Sequence, residues 1–202
     1  GKTPFVIFLA QRLMAKGRRV AILSRGYKRM SHAPHVLVSD GVHLLSDSSE
    51  SGDEPFLMAQ RCPHTVVAVG ANRVALGRWV LARQPVDCMI LDDGFQHLAL
   101  HRDVDFVLLD ATDAVGLDAL LPAGRLREPL HGLDRASAVV ITRADSRHDV
   151  DAVRLHAPRH LDRNVTLFGR IIQGISLLSS LPRGTGEIGF YATPAEYTPI
   201  TS

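Results

Sequence analysis

Three short stretches combine residue types that could do phosphate chemistry. The first, Gly1-Lys2-Thr3-Pro4, runs straight into Phe5, Val6, Ile7, Leu9, Ala10, Leu13 and Met14, an apolar face at helical spacing. Gly-Lys-Thr at the mouth of a helix is the last third of a phosphate-binding loop of the form G-x-x-x-x-G-K-[ST]. Such a helix start offers unpaired N–H groups and a positive dipole end to phosphate. Lys2 can reach the outer phosphates, and the Thr3 hydroxyl can hold Mg²⁺. By itself the tripeptide is weak evidence, because it occurs often by chance. The second stretch is 86–94, Val-Asp-Cys-Met-Ile-Leu-Asp-Asp-Gly, an apolar strand ending in two adjacent acids. A rigid strand would deliver Asp92 to a phosphate mouth as a metal-side carboxylate, and Gly94 would let the chain turn away. The competing reading is a pair of solvated turn acids; the phosphate loop upstream tips the balance toward a nucleotide site. The third is Gly52-Asp53-Glu54-Pro55, ahead of a helical pattern. Asp53 can serve as an N-cap with Glu54 and Pro55 in the first turn; equally, Asp53 can deprotonate a hydroxyl while Glu54 helps hold a metal. Spacing does not separate the two.

The ten histidines are scattered without H-E-x-x-H or similar ligand spacing, so each reads as a surface or packing residue. His97, shortly beyond Gly94, is the exception to watch. Asp110, at the end of another apolar strand, reads as structural.

The elements that must position these residues alternate. After the first helix, which closes at Lys16-Gly17, residues 20–24 form an apolar run without polar alternation, the mark of a buried parallel strand. Helices are predicted over 53–61 and 73–83, and strands over 65–69, 86–91, 105–109 and 137–142. Residues 31–51, rich in Ser, His, Asp and Gly, read as an excursion from the core with two weak strands, 34–38 and 42–45, about a turn at Asp40-Gly41. The pattern implies an α/β fold: a phosphate-loop-NTPase-like, doubly wound, mostly parallel sheet flanked by helices, binding ligands at the strands' C-terminal ends. Residues 1–150 are taken as the core, lacking the first strand and part of the phosphate loop. Residues 151–202 are taken as a partial C-terminal region, poorly ordered toward its end.

Composition narrows the function classes. With 202 residues and 46% hydrophobic content, one sizeable core is expected. The 23 Lys+Arg against 21 Asp+Glu, net +2, are too balanced to argue for nucleic acid. Cys62 and Cys88 lie far apart without C-x-x-C spacing and read as two reduced, buried thiols. No apolar stretch reaches the ~18 residues that cross a bilayer, and the N-terminus lacks signal-peptide architecture. As given, the chain is expected to be soluble or peripheral.

Five motifs in order then point to one family. Gly1-Lys2-Thr3-Pro4, Ser24-Arg25-Gly26-Tyr27, Gly52-Asp53-Glu54-Pro55, Asp92-Asp93-Gly94-Phe95-Gln96-His97 and Leu121-Pro122-Ala123-Gly124-Arg125-Leu126-Arg127-Glu128-Pro129 resemble the signatures of the tetraacyldisaccharide 4'-kinases, the lipid A 4'-kinases, over residues 1–145. The resemblance implies a kinase moving the γ-phosphoryl of ATP to the 4'-hydroxyl of a tetraacylated glucosamine disaccharide 1-phosphate, at the cytoplasmic face of the inner membrane, with no nucleic acid or protein partner. It implies ATP and Mg²⁺ at Gly1, Lys2, Thr3 and Pro4, and metal support from Thr3, Glu54 and Asp92. It further implies catalytic roles for Asp53 as base with Asp93 and His97 beside it, and substrate contacts at Arg25, Arg73 and Gln96. Family members also carry a membrane-proximal N-terminal segment, glycines ahead of Gly1 and a C-terminal Asp-His-His motif, none of which occurs here, and Lys28-Arg29-Met30 stands where a glycine-rich stretch is usual. The chain is therefore expected to be an N- and C-terminally incomplete member. A non-catalytic nucleotide-binding remnant is the alternative; another phosphate-loop kinase or ligase would share the first two motifs without 52–55 and 121–129.

Overall fold

A computed structural model describes residues 1–112, 119–124 and 126–143, and the backbone of 165–168. The chain forms two compact units, Gly1–His101 and Arg102–Ser202.

In the first unit, helix α1 (Lys2–Ala15) begins where the sequence predicts, and buries Phe5, Val6 and Ala10. It stops at Gly17, whose φ of +74° suits glycine. There the N–H groups of Lys16 and Gly17 bond back to the carbonyls of Leu13 and Met14 at 3.0 and 2.8 Å. Strand β1 (Val20–Ser24) is buried at every position, as a central parallel strand must be. Strand β2 (Val36–Asp40), the short helix α2 (Ser48–Ser51), helix α3 (Asp53–Arg61), strand β3 (Val66–Val69), helix α4 (Arg73–Leu81) and strand β4 (Cys88–Leu91) follow.

The strand order is β2-β3-β1-β4. β1 pairs in parallel with both β3 and β4, and β2 joins the edge antiparallel to β3. The segment 31–51 thus returns one strand to the sheet. Of its predicted second strand, 42–45, the structure keeps a single bridge between Leu44 and Ser39. The Asp40 carboxylate takes the N–H groups of Val42 and His43 at 2.8 and 2.7 Å, winding the chain into a turn where strand pairing would have begun.

Side chains from alternate strand positions feed two layers. Val20 and Ile22 of β1, Val67 and Val69 of β3, Val38 and Ile90 pack against Val6 and Ala10 of α1 and Met58 and Ala59 of α3. Ala21, Leu23, Val66 and Ala68 pack against Leu76 and Val80 of α4 on the opposite face. Helices on both faces make the sheet doubly wound, and each fully buried Ile, Leu or Met contributes roughly 1.5–3 kcal/mol. Cys62 and Cys88 are both free, but only Cys62 is buried. Burial pushes its thiol up to about 11, whereas Cys88, on an outer strand, is half-buried, which corrects the expectation of two buried thiols.

In the second unit, β5 (Phe106–Asp110), β6 (Ala138–Thr142) and β7 (Val165–Phe168) form a parallel sheet in that order. A 3₁₀ helix, Leu130–Arg135, leads into β6. Arg135 clasps Glu128 through two nitrogens, both at 2.9 Å. Asp110 accepts from the Thr112 N–H and hydroxyl and pairs with Arg143 at 3.3 Å, in line with a structural role. Arg125 and, apart from the β7 backbone, the region 151–202 lie outside the described residues.

Candidate active site

Parallel register delivers the predicted residues to one edge. Leu23 lies level with Leu91, so the residues that follow, Ser24 at the end of β1 and Asp92 just beyond β4, stand side by side. The Ser24 hydroxyl donates to Asp92 Oδ2 at 3.0 Å, and the Asp92 N–H bonds the Leu23 carbonyl at 2.9 Å. Helices α1, α3 and α4 begin with Lys2, Asp53-Glu54 and Arg73.

Asp92 is only 4% exposed, which sets aside the reading of two solvated turn acids. Burial raises the pKa of its carboxyl, and the charges of Glu54 and Asp93 raise it further, against the Ser24 hydrogen bond and Lys2. Glu54, Asp93 and Lys2 are therefore all within electrostatic reach. Lys2 Nζ meets Asp93 Oδ1 at 2.5 Å, with both side chains open to solvent. Asp93 itself holds φ at +52°, a conformation that costs a non-glycine residue about 1 kcal/mol or more. Gly94 follows because a Cβ there would lie 2.7 Å from that of Leu91.

Arg73 is 6% exposed at the start of α4, where cations are disfavoured by the helix dipole. Burial lowers its pKa most and Arg25 lowers it further, while Asp93 and Asp92 raise it. Arg25, Arg73, Asp92 and Asp93 thus share one electrostatic neighbourhood.

Two motifs are locked together by their glycines. Gly52, φ +93°, has the Tyr27 carbonyl 2.9 Å from where a Cβ would stand, and Gly26, φ +70°, is hemmed in by the Ser51 carbonyl at 3.1 Å. The loop after β1 therefore sits directly on the start of α3. Gly52 is the N-cap of α3, and no side chain caps that helix. Asp53 is its first helical residue, so the N-cap reading of Asp53 is corrected and its exposed carboxylate is not used as a cap.

The structure therefore brings Lys2, Glu54, Asp92, Asp93, Arg25 and Arg73 together. Gly1 caps α1, with Thr3 and Pro4 in its first turn. Gln96 and His97 lie in the turn beyond Asp93, where the His97 N–H bonds the Gly94 carbonyl at 2.9 Å. Thr3 and Asp53 adjoin the cluster as chain neighbours of Lys2 and Glu54. Sequence reasoning missed Ser24 as the partner of Asp92; its only signal is a hydroxyl ending an otherwise apolar strand. Among the described residues, no group of three or more His, Cys, Asp or Glu side chains forms a metal cage.

A doubly wound sheet whose Gly-Lys-Thr helix start is ion-paired to an acid just beyond strand β4 places this chain among the phosphate-loop NTPases. The model of one family, tetraacyldisaccharide-1-P 4'-kinase (LpxK), matches residues 1–170, and the chain belongs to that family. The tetraacyldisaccharide 4'-kinase of Anaeromyxobacter sp. (strain Fw109-5) is 46% identical over 166 residues, 82% of this chain and 44% of the relative. That of Geobacter sulfurreducens is 45% identical over 143 residues, 71% of this chain and 40% of the relative. A crystal structure of LpxK from Aquifex aeolicus in complex with ATP superposes with a TM-score of 0.66 at 46% identity, covering 73% of this chain and 45% of that one. The chain thus spans about half the length, or less, of these relatives. No described helix is long and apolar enough to cross a membrane.

Proposed function

We propose that this chain carries the nucleotide-binding and base-bearing part of a tetraacyldisaccharide 4'-kinase, transferring the γ-phosphoryl of ATP to the 4'-hydroxyl of tetraacyldisaccharide 1-phosphate in lipid A synthesis, at the cytoplasmic face of the inner membrane. The observation that carries the reading is the convergence of Lys2, Glu54, Asp92 and Asp93 at the C-terminal edge of the sheet.

Phosphoryl transfer asks for positioning and charge neutralisation more than for covalent chemistry. Gly1, Lys2, Thr3 and Pro4, at the positive end of α1, hold the phosphates. Lys2 now pairs with the Asp93 carboxylate, which stands in for phosphate negative charge and is released when phosphate arrives. The residues fit Mg²⁺: Asp92 is a buried acid crowded by Glu54 and Asp93, a cluster a divalent cation would relieve. Asp92, Glu54 and the Thr3 hydroxyl would hold it, and when bound it neutralises charge on the phosphate oxygens. Asp53 takes the proton of the attacking hydroxyl, with Asp93 and His97 beside it. Arg25, Arg73 and Gln96 contact the acceptor.

Two measurements test this reading. Mg²⁺-ATP binding, by calorimetry, should be lost in Lys2→Ala. Transfer of labelled phosphate from ATP to the lipid disaccharide should fall by about 10²–10⁴ in Asp53→Ala, with Mg²⁺-ATP affinity kept. Full turnover by Asp53→Ala would remove that residue from the base role, and a wild-type chain that binds no Mg²⁺-ATP would remove the kinase reading.

A further inference from the structure

Strand β1 is an apolar run, Val20 to Leu23, that closes on a hydroxyl, Ser24. The serine and the acid beside it, Asp92, are each only 4% exposed. Shutting a hydroxyl and a carboxylate away from water costs stability unless they are well bonded. Two apolar residues of the same shape would fill that space at little or no cost, so packing alone does not explain the pair.

The backbone pins both partners. The Ser24 carbonyl accepts the Gly70 N–H at 3.0 Å, and the Asp92 N–H is held by the Leu23 carbonyl at 2.9 Å. What remains to be fixed is the orientation of the Asp92 carboxylate. Among the described residues, the Ser24 hydroxyl is its one hydrogen-bond donor, reaching Oδ2 at 3.0 Å. The two carboxylate oxygens are thereby made unlike. Oδ2 is tied to the strand, whereas Oδ1 accepts from no described residue and is still reached by solvent. A carboxylate can accept about four hydrogen bonds, and this one takes a single bond from the fold. The arrangement leaves one oxygen presented at the edge where Lys2, Glu54 and Asp93 also act on Asp92.

We propose that Ser24 is a positioning residue for the metal: it holds the Asp92 carboxylate by Oδ2 so that Oδ1 is offered to the cation. The proposal rests on the kinase reading for the presence of Mg²⁺ at this edge. Mg²⁺ demands near-ideal octahedral geometry, so a carboxylate left to rotate binds it less well. Hydrogen-bond partners that orient metal ligands typically carry about 10–100-fold in metal affinity.

Calorimetry on the purified chain tests this, comparing ATP with Mg²⁺ against ATP with a chelator for wild type, Ser24→Ala, Asp92→Asn and the double variant. Circular dichroism would verify that each folds. Ser24→Ala should weaken Mg²⁺-ATP by about 10–100-fold and leave metal-free ATP unchanged. In the Asp92→Asn background the same substitution should have almost no further effect, because the group it orients is already gone. Ser24→Cys, close in shape but a weak donor, should fall between Ser24→Ala and wild type. Unchanged Mg²⁺-ATP affinity in Ser24→Ala would overturn the proposal and leave the kinase reading intact. Equal weakening with and without Mg²⁺, or the full loss repeated in the Asp92→Asn background, would also overturn it and mark Ser24 as a residue that only supports the fold. A wild-type chain whose ATP binding is absent or indifferent to Mg²⁺ would sink the metal reading and the proposal with it.

Discussion

Strands β1 and β4 run side by side, and the two ends of the pair treat charge in opposite ways. Where they begin, Arg19 and Asp87 meet in a fully matched pair: Nε and Nη2 of the guanidinium reach Oδ2 and Oδ1 at 3.1 and 2.6 Å, and the Arg19 N–H adds a third bond at 2.9 Å. Those hydrogen bonds hold the Asp87 carboxyl well below the usual carboxylate range. Where the strands end, Asp92 is buried among like charges with its carboxyl pushed up, and Arg73 is buried with an unpartnered nitrogen. The same backbone ladder supports both ends, so the difference lies in the side chains. One end is built for stability; the other crowds Asp92 among like charges and leaves one nitrogen of Arg73 without an acceptor among the described residues. Such a contrast within one sheet marks the functional edge more sharply than composition does.

The largest expected way to break the functional edge is steric. Gly52→Ala must hold φ near +93° and place a methyl 2.9 Å from the Tyr27 carbonyl, so it should cost roughly 2–4 kcal/mol. Guanidinium unfolding would register this as a lower midpoint at unchanged slope. A loss below about 0.5 kcal/mol would mean that the two loops are not locked together.

Next in size is a change of opposite sign. Asp92→Asn keeps an acceptor for the Ser24 hydroxyl but removes a buried charge repelled by Glu54 and Asp93, so it should raise stability by about 1 kcal/mol at pH 7 while weakening Mg²⁺-ATP binding. Because the folded pKa of Asp92 is raised, its penalty applies above that pKa and is relieved as pH falls through it. The advantage of the variant should shrink accordingly on acidification. Thermal melts at several pH values would check it, and a variant less stable than wild type at pH 7 would mean that Asp92 is comfortable where it is.

Much of this sheet is legible in the sequence, and the illegible parts share a cause. Strands 20–24 and 65–69 emerge because a strand buried on both faces writes itself as a nearly continuous apolar run, strand 86–91 because four apolar residues follow Asp87, and helix 73–83 because its apolar face has period 3.6. The antiparallel pairing of β2 depends on contacts with β3 some 30 positions away and leaves no local mark beyond a weak apolar run. Segment 42–45 has the composition of a strand, but a carboxylate at Asp40 winds it into a turn. Motif residues gave the identity of the site members; their environment was not readable. Nothing local states that Arg73, a charged residue opening a helix, is buried, or that Gly52 takes the N-cap position ahead of Asp53. Those facts arise from how loops after different strands stack on one another.

The smallest effect belongs to the well-matched end, and its pH dependence runs the other way. Asp87→Asn removes the carboxylate that Arg19 grips from three donors. The folded pKa of Asp87 is depressed, so wild type holds the pair's stabilisation in full above the unfolded carboxylate value of about 3.9 and loses it as pH falls through the folded value. At neutral pH the variant should melt slightly below wild type, since exposed pairs contribute little and salt screens them. The two curves should converge toward pH 2, the reverse of the trend at Asp92, where acidification removes an advantage of the variant. High salt should narrow the Asp87 difference and leave the Asp92 difference largely in place, because the first pair is open to solvent and the second carboxylate is not. If both substitutions shifted stability in the same direction across the pH range, the two ends of the strands would not differ in kind, and the assignment of the Asp92 edge as the functional one would lose its physical basis.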